Sequence, residues 1–240
     1  MTAHPPKGRQ ARLLEAREIT RRAILDAALD LFMTHGYAQV SIRNIAARVE
    51  YSPGAIYGYF TSKDEIFYAL AEEGLRHLGA RELADAPSED PVEDVRAATW
   101  RLYEFSKEQP QYFALVFLDP RVPRVSREYE RFAFISEMRN RALARVDRCV
   151  AEGLFPPTTH AEVALRLLWA PVVGIAALQL SRRMPDEVDP DPLVRDAIET
   201  TIAGIRAGAP RHARPAPPAP AAPESDVPES GAPEPAVRTA

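Results

Sequence analysis

The 240-residue sequence predicts an all-α protein, with short helices near the N-terminus followed by a larger helical bundle. Apolar residues recur three and four positions apart in every segment long enough to judge. No segment alternates apolar and polar residues as a half-buried strand does. Prolines and glycines interrupt the pattern and, outside the region discussed next, leave rough helices at 15–34, 65–83, 92–109, 111–118, 125–152, 160–183 and 192–207.

Residues 41–63, SIRNIAARVEYSPGAIYGYFTSK, predict two short helices joined by a tight turn. The first has apolar residues at helical spacing from Ile42 onwards, and Ser41 stands before it as an N-cap. Ser52 can cap the second helix, and Pro53 suits its first position because the missing N–H is not needed there. Two short helices across such a turn form a helix-turn-helix, whose second helix enters a DNA major groove.

Charge is distributed unevenly along the chain. Residues 1–63 hold nine Lys and Arg against five Asp and Glu, whereas the remaining residues hold 21 against 29. A positive N-terminal module on an acidic body is typical of a DNA-binding head with a regulatory body. The asymmetry is modest, so it supports the helix-turn-helix interpretation without establishing it.

The region from Ile19 to Leu70 resembles the DNA-binding domain of the TetR/AcrR (tetracycline-repressor) family of bacterial regulators. The segments that carry the resemblance are ILDAALDLFMTHGY, SIRNIAARV and SPGAIYGYFTSKDEIF. Glu50 and Tyr51 replace the usual small or apolar pair, and Gly58 stands where a larger side chain often reads a base. These departures affect the expected operator sequence rather than the fold.

The candidate DNA-binding residues lie in and beside the helix-turn-helix. Arg43 is suited to a guanine edge, whereas Tyr57, Tyr59 and Lys63 are suited to phosphate oxygens. The full candidate set is Ser41, Arg43, Ser52, Pro53, Gly54, Ala55, Tyr57, Gly58, Tyr59 and Lys63.

The chain divides into four predicted regions. Residues 1–14 form a flexible basic arm, which either contacts DNA or is a solvated tail. The helix-turn-helix domain follows at 15–63, and a helical ligand-binding and dimerisation domain at 64–207. Residues 208–240 hold nine of the 23 prolines and no aromatic residue, which predicts a disordered tail.

Aromatic residues cluster in the middle of the body. Aromatic side chains at helical spacing are more often core than pocket, but the family resemblance implies an inducer cavity among these helices. Arg141 can pair with a ligand carboxylate or lie on the surface. The candidate ligand-binding residues are Trp100, Tyr103, Phe113, Phe117, Met138, Arg141 and Trp169.

The last two predicted helices are apolar on more than one face, so a monomer is expected to expose an apolar patch. A two-fold homodimer through a four-helix bundle covers such a patch, and the family resemblance supports the same arrangement. The candidate interface residues are Leu165, Leu168, Val172, Ile175, Gln179, Val194, Ile198, Ile202 and Ile205.

Several other classes are disfavoured. Cys149 is the single cysteine, and the five His residues show no metal-ligand spacing, so no metal or cofactor is expected. The longest apolar run, Leu167 to Leu178, is shorter than the ~20 residues that span a bilayer. The N-terminal residues contain no apolar signal segment, which predicts a cytoplasmic protein. No catalytic motif is visible, so an enzyme is not expected.

The sequence therefore predicts a homodimeric transcriptional regulator that binds double-stranded DNA. In the leading hypothesis it is a repressor that releases a palindromic operator when a small apolar or amphipathic effector binds the body. The alternative is an architectural or partner-regulated DNA-binding protein of the same fold that needs no ligand.

Overall fold

The computed structural model describes residues 8–84, 88–119, 133–185, 187–208 and 212–213. Throughout these ranges the regular structure is helical and contains no strand, which confirms the predicted fold class. The helices in chain order are α1 (Arg9–His35), α2 (Ile42–Arg48), α3 (Pro53–Tyr57), α4 (Lys63–Ala84), α5 (Pro91–Glu108), α6 (Pro110–Phe113, continued by a π-helical turn at Ala114–Leu118), α7 (Ala133–Ala151), α8 (Ala161–Leu180) and α9 (Pro190–Arg206).

Helices α1 to α3 and the first turns of α4 form the N-terminal head around one apolar core. Ile24, Ile45, Ile56 and Phe67 are each 0% exposed, so each of these four helices contributes a fully buried side chain. Burying a side chain of this size stabilises the fold by about 1.5–3 kcal/mol. Helices of seven and five residues, such as α2 and α3, are unstable alone, so they depend on this packing.

Helix α1 is longer than the sequence predicts. It begins at Arg9 rather than Glu15, so residues 9–14 of the predicted flexible arm are helical. Every residue from 8 to 19 is exposed, and the first turns of α1, before Arg17, project beyond the head. Sequence patterning missed it because a projecting helix has no buried stripe to reveal its period. Residues 1–7 of the arm and nearly all of the predicted tail lie outside the described residues.

Helices α4 to α9 form the body, whose core is continuous with that of the head. Helices α5, α7, α8 and α9 pack on one another, with Tyr103 and Cys149 fully buried among them. Burial raises the pKa of the Cys149 thiol to about 11, so this cysteine is an inert part of the core.

The residues predicted to form the dimer interface lie in the interior of the body instead. Helices α8 and α9 use most of these residues to pack on each other and on α5, so little of their surface is left for contact with a second copy. Leu165 and Gln179 are half-buried. The other seven are at most 9% exposed: Leu168, Val172, Ile175, Val194, Ile198, Ile202 and Ile205.

Helix α8 is unusually apolar. Among the described residues it is the one helix with the length and hydropathy of a membrane span, with a mean hydropathy of 1.8 over its most apolar window. Its apolar side chains divide between a core face, which includes Val172, and an exposed face, which includes Leu167 and Leu178. Because α8 has an apolar face on each side, its mean hydropathy reaches that of a membrane span.

The head is joined to the body through Glu73 on α4. Arg22 of α1 donates to both carboxylate oxygens of Glu73, at 2.7 and 2.6 Å, and the Tyr112 hydroxyl of α6 donates to the same group at 2.7 Å. Burial and the bond to Glu73 raise the pKa of Tyr112 to about 12, so it stays a neutral donor. Gly74 permits this approach, because a Cβ there would lie 2.9 Å from the Cβ of Tyr112.

Candidate DNA-binding face and ligand cavity

Helices α2 and α3 have the caps that the sequence predicts. The Ser41 hydroxyl accepts from the N–H of Asn44 at 3.3 Å, and the Asn44 side chain accepts from the N–H of Ser41 at 2.8 Å. The Ser52 hydroxyl accepts from the N–H of Ala55 at 3.2 Å, and Pro53 occupies the first position of α3. These hydroxyls fix the start of each helix and therefore the short turn between them.

The turn between α2 and α3 contains a residue in the left-handed conformation. Glu50 has φ of 59°, a region that costs a non-glycine residue about 1–2 kcal/mol. The N–H of Tyr51 donates to the carbonyl of Ala46 at 2.9 Å and closes the turn. The Tyr51 hydroxyl lies 3.5 Å from the Thr20 hydroxyl on α1, which ties the turn to the first helix. Glu50 and Tyr51, the two departures from the family pattern, both lie on the exposed surface of the turn.

The outer faces of α2 and α3 are open. Arg43 is exposed, and Tyr57 is 54% exposed. At Gly54 an added Cβ would have the Ser52 hydroxyl, 3.9 Å away, as its nearest neighbour, and Gly58 is exposed at the end of α3. A partner can therefore approach the backbone of α3 closely along this face.

Lys63 lies in a different environment from the predicted one. Its Nζ donates to the carbonyls of Tyr37 and Val40, both at 2.9 Å, and lies 4.1 Å from the Tyr37 ring centroid. Two of its three donors therefore hold the start of α4 against the loop before α2. Beside it, burial and a hydrogen bond to Asp64 raise the pKa of Tyr37 well above its usual value. These contacts give Lys63 a positioning role, and the phosphate contact that the sequence predicts for it stays a prediction.

Arg17 on α1 contacts the C-terminal end of α3, which the sequence interpretation missed. Its Nη2 donates to the carbonyl of Gly58 at 2.8 Å, and its guanidinium lies 5.0 Å from the Tyr59 ring centroid. Tyr59 is accordingly half-buried beneath Arg17 rather than free. No local pattern could have revealed this contact, because 41 residues separate the two partners.

The first turns of α1 carry charges of both signs. Arg9, Arg12 and Arg17 are interspersed with Glu15 and Glu18, and all five are exposed. Successive helical residues turn by about 100°, so Arg9 lies roughly 80° and Arg12 roughly 140° from Arg17 around the helix axis. Of the two outer arginines, Arg9 is therefore the closer in direction to Arg17, whose side chain reaches the end of α3.

A cavity of about 200 Å³ lies in the body between α4, α7 and α8. Most of its lining is apolar, and three charged residues, Arg139, Glu162 and Arg166, complete it. Three predicted ligand-binding residues belong to this lining: Phe117, Met138 and Trp169. Sequence reasoning missed Leu75, Leu78, Ala142, Leu143 and Leu165, whose helical spacing looks the same as that of ordinary core residues.

Trp100 and Tyr103 do not line the cavity; both face α9. The Trp100 ring lies 4.0 Å from the guanidinium of Arg195, and its Nε1 donates to Glu104. The Tyr103 hydroxyl donates to Asp191 at 2.7 Å, and burial together with this bond raises the pKa of Tyr103. Their predicted ligand role is therefore replaced by a role in docking α9 on α5.

Phe113 and Arg141 also lie outside the cavity lining. Phe113 is 0% exposed in the core, where its ring centroid lies 4.9 Å from that of Phe117. Arg141 is exposed on α7 and pairs with Glu137 at 2.5 Å. The arginines at the cavity are Arg139, which the sequence interpretation passed over, and Arg166 on α8. The rotation of α7 against its neighbours decides which arginine faces the cavity, and charge spacing does not show it.

Two family models match the chain in separate regions. Residues 24–70 match the bacterial regulatory proteins of the tetR family, and residues 95–201 match the tetracyclin repressor-like C-terminal domain. The first range contains the helix-turn-helix and the second contains α7 and α8 with their share of the cavity. This chain belongs to the TetR family. It is a helix-turn-helix DNA-binding transcriptional regulator, as the sequence predicts.

Curated relatives of this TetR-family chain are also regulators rather than enzymes. The HTH-type transcriptional repressor Rv3405c of Mycobacterium tuberculosis is 37% identical over 98 residues, which span 41% of this chain and 50% of the relative. The chain thus spans about half the length of that relative. The HTH-type transcriptional regulator TcmR of Streptomyces glaucescens is 30% identical over 152 residues, 60% of this chain and 66% of the relative.

Solved structures confirm the family fold. A TetR-family regulatory protein from Rhodococcus RHA1 has a TM-score of 0.60 at 21% identity, covering 77% of this chain and 96% of that one. The fatty acid degradation regulator FadR of Bacillus halodurans has a TM-score of 0.60 at 16% identity, covering 78% and 96%. At these identities the likeness concerns the fold alone.

The TetR-family body has a second apolar surface on the outside of α8 and α9. On α8 it is formed by Leu167, Ala170, Gly174 and Leu178, which lie at helical spacing on the side opposite the core; all four are exposed. On α9 the uncharged residues at helical spacing are Leu193 and Thr200, which are exposed, and Ala197 and Gly204, which are half-buried. We call these eight residues the outer stripe. It carries no charged side chain, and its small residues permit close approach of another helix.

Proposed function

We propose that this regulator is a ligand-responsive repressor that binds a palindromic operator as a homodimer in the cytoplasm. A small apolar or amphipathic molecule in the body cavity releases the DNA. The course of α4 carries the proposal: Ile66 and Phe67 are buried in the head core, and Leu75 and Leu78 line the cavity. A molecule that moves α4 at the cavity also moves the head that α4 holds.

Exposed groups of α2 and α3 supply the proposed DNA contacts. Arg43 reaches a guanine edge, a contact worth about 1–3 kcal/mol of discrimination between bases. Tyr57 and Ser52 face phosphate oxygens, and Gly54 lets the backbone of α3 approach the groove. Arg17 holds the end of α3, and the exposed Arg9 and Arg12 of the projecting α1 extend the contact along the phosphate backbone.

The proposed homodimer forms through the outer stripe rather than through the residues first assigned to it. An exposed apolar row on α8, beside the helix α9 that packs on it, fits a two-fold four-helix bundle. The absence of charge along the stripe, together with the small Gly174 and Gly204, supports close helix packing. Such a dimer presents two heads at half-sites one helical turn apart, about 34–36 Å.

A second route connects the cavity to the head. Phe117, in the π-helical turn, lines the cavity, and Tyr112 in the same continuous segment bonds Glu73. Glu73 in turn binds Arg22 of α1. Displacement of Phe117 by a ligand therefore strains the contact that fixes α1 to α4. By thermodynamic linkage, operator DNA weakens ligand binding by the same factor as ligand weakens DNA binding.

The test is selection of bound DNA from a random pool by the full chain at a stated salt concentration. We expect a palindrome with half-sites about one turn apart, and then screen small apolar and amphipathic molecules for release of that operator. Salt-sensitive binding without an enriched sequence would instead favour the architectural alternative. An enriched palindrome that no small molecule releases would point to regulation by a partner protein and contradict the ligand-responsive proposal.

A further inference from the structure

Three charged side chains meet at the edge of the body cavity. Arg139 comes from α7, and Glu162 and Arg166 come from the first turns of α8. Each arginine bonds a different oxygen of Glu162: Arg139 donates to Oε1, and Arg166 donates to Oε2 at 3.1 Å. Both guanidinium groups are about half exposed, with side-chain exposures of 54% and 56%. They therefore lie at the opening of the cavity rather than in its interior.

The charge at this opening is not balanced. Among the described residues that line the cavity, Glu162 is the only acidic one, and it faces two permanently charged guanidinium groups. A guanidinium offers five N–H donors, and Glu162 accepts from one nitrogen of each arginine. One unit of positive charge and several donors remain for a second anion.

The rest of the lining has the opposite character. Five uncharged side chains, from α4, the π-helical turn, α7 and α8, make up much of it: Leu75, Leu78, Phe117, Met138 and Trp169. A ligand that fills this space must be apolar over most of its surface. The cavity thus combines an apolar interior with a cationic opening.

We propose that the effector is an amphipathic carboxylate, with an apolar chain or ring inside the cavity and the carboxylate bound between Arg139 and Arg166. The inference deepens the proposed function and rests on it. A carboxylate matches the planar fork of a guanidinium and forms charge-assisted bonds of about 2.7–2.9 Å. Because the arginines belong to α7 and α8, the bound anion also ties these two helices together.

The test measures binding of octanoate and decanoate by Trp169 fluorescence, below the concentrations at which these probes self-associate. The chain has two tryptophans, so Trp100→Phe leaves Trp169 as the reporter on the cavity. Octanol and decanol are the matched neutral probes, and octylammonium is the matched cation. We expect each carboxylate to bind roughly ten-fold tighter than its alcohol, as expected for hydrogen bonds to a charged group, and the cation to bind weakest.

Matched variants locate the anion. Arg139→Ala combined with Arg166→Ala should abolish the preference for carboxylate over alcohol while leaving alcohol binding unchanged. Arg141→Ala is the control, because Arg141 lies on the same helix and has a comparable partner, Glu137, but does not line the cavity. Glu162→Gln should strengthen carboxylate binding, since it removes the competing anion, and a gain of affinity cannot result from misfolding.

Equal binding of alcohols and carboxylates would overturn the inference, as would a loss in Arg141→Ala as large as that in the double variant. No change in Trp169 fluorescence with any probe would overturn it too. These outcomes leave the proposed function standing, because that proposal is judged separately by release of operator DNA by any small molecule. Carboxylate binding at Trp169 without operator release would contradict the proposed function while supporting the ligand class.

Discussion

The head and the body are both helical, yet their helices are specified differently. In the head, hydroxyls of Ser41, Ser52 and Ser62 cap three successive helices, and each accepts a backbone N–H three residues later. These signals are local, so sequence alone predicts where each helix begins. In the body the caps are equally clear, at Asp90 and Asp189 for example, but the face that each helix buries depends on distant neighbours.

Helix α8 shows why the buried face of a body helix is difficult to predict from sequence. Val172 is 0% exposed and Leu178 is 44% exposed, although both are apolar and lie on the same helix. One contributes to the monomer core and the other to the outer stripe. The head has no such ambiguity, because its short helices have a single apolar face. Variants that separate the two faces of α8 and α9 therefore test the comparison most sharply.

The largest effect is expected from Gly174→Arg in the outer stripe. An added Cβ at Gly174 meets nothing within 4 Å, so the monomer should fold, but the charge should block the proposed dimer. Losing the second head should lower operator affinity by about a hundred-fold or more, since linked binding is lost. Size-exclusion chromatography with light scattering gives the mass. Leu180→Arg is the control, because Leu180 is 36% exposed on the same helix but lies outside the outer stripe, and this variant should remain dimeric. If Gly174→Arg were still a dimer, the outer stripe would not be the dimer interface.

A smaller effect, on stability rather than assembly, is expected from Ile198→Ala. Ile198 is 1% exposed on the core face of α9, so its truncation leaves a cavity. Such a change lowers the free energy of unfolding by about 2–5 kcal/mol. Urea denaturation at matched protein concentration measures it, with Asp196→Ala, exposed on the same helix, as the control. If Ile198→Ala lost the dimer but kept its stability, Ile198 would belong to the dimer interface, as the sequence predicts.

Local sequence patterns predict part of this structure but not all of it. The fold class, the caps at Ser41 and Ser52 and the helix-turn-helix follow from local patterns. The position of Lys63 against two carbonyls, and the choice of Arg139 over Arg141 at the cavity, depend on how helices rotate against each other. Periodicity shows that a face is buried, but it does not name the neighbour that buries it.

In the head, Arg9→Ala combined with Arg12→Ala tests the projecting part of α1. Each lost phosphate contact should reduce the slope of log affinity against log salt by about 0.9, so two substitutions in both subunits reduce it by up to about four. Operator and unrelated DNA should be weakened alike, because these contacts read no base. Titrations at several salt concentrations measure the slope. An unchanged slope would make the projection a solvated extension, and Arg141→Ala in the body controls for net charge.

The smallest effect concerns Asp191, which joins α9 to α5 in the body. Hydrogen bonds from the Tyr103 hydroxyl at 2.7 Å and from Lys107 at 3.0 Å hold the pKa of this carboxyl below its usual value. A lowered pKa in the folded state means that the stabilisation is present above the unfolded-state pKa of about 3.9 and is lost as pH falls through the folded value. Because the group is 38% exposed, solvent screening keeps the effect small.

Asp191→Asn should therefore be less stable than the natural chain at neutral pH, and the difference should shrink as the pH falls below about 4. Urea midpoints across that range measure it, and subtracting the two curves removes the contribution of every other titrating group. Asp196→Asn, exposed on the same helix, is the matched control for the loss of one carboxylate. If the Asp191→Asn difference stayed constant on acidification, the contact would stabilise the body through its neutral hydrogen bonds and not through its charge.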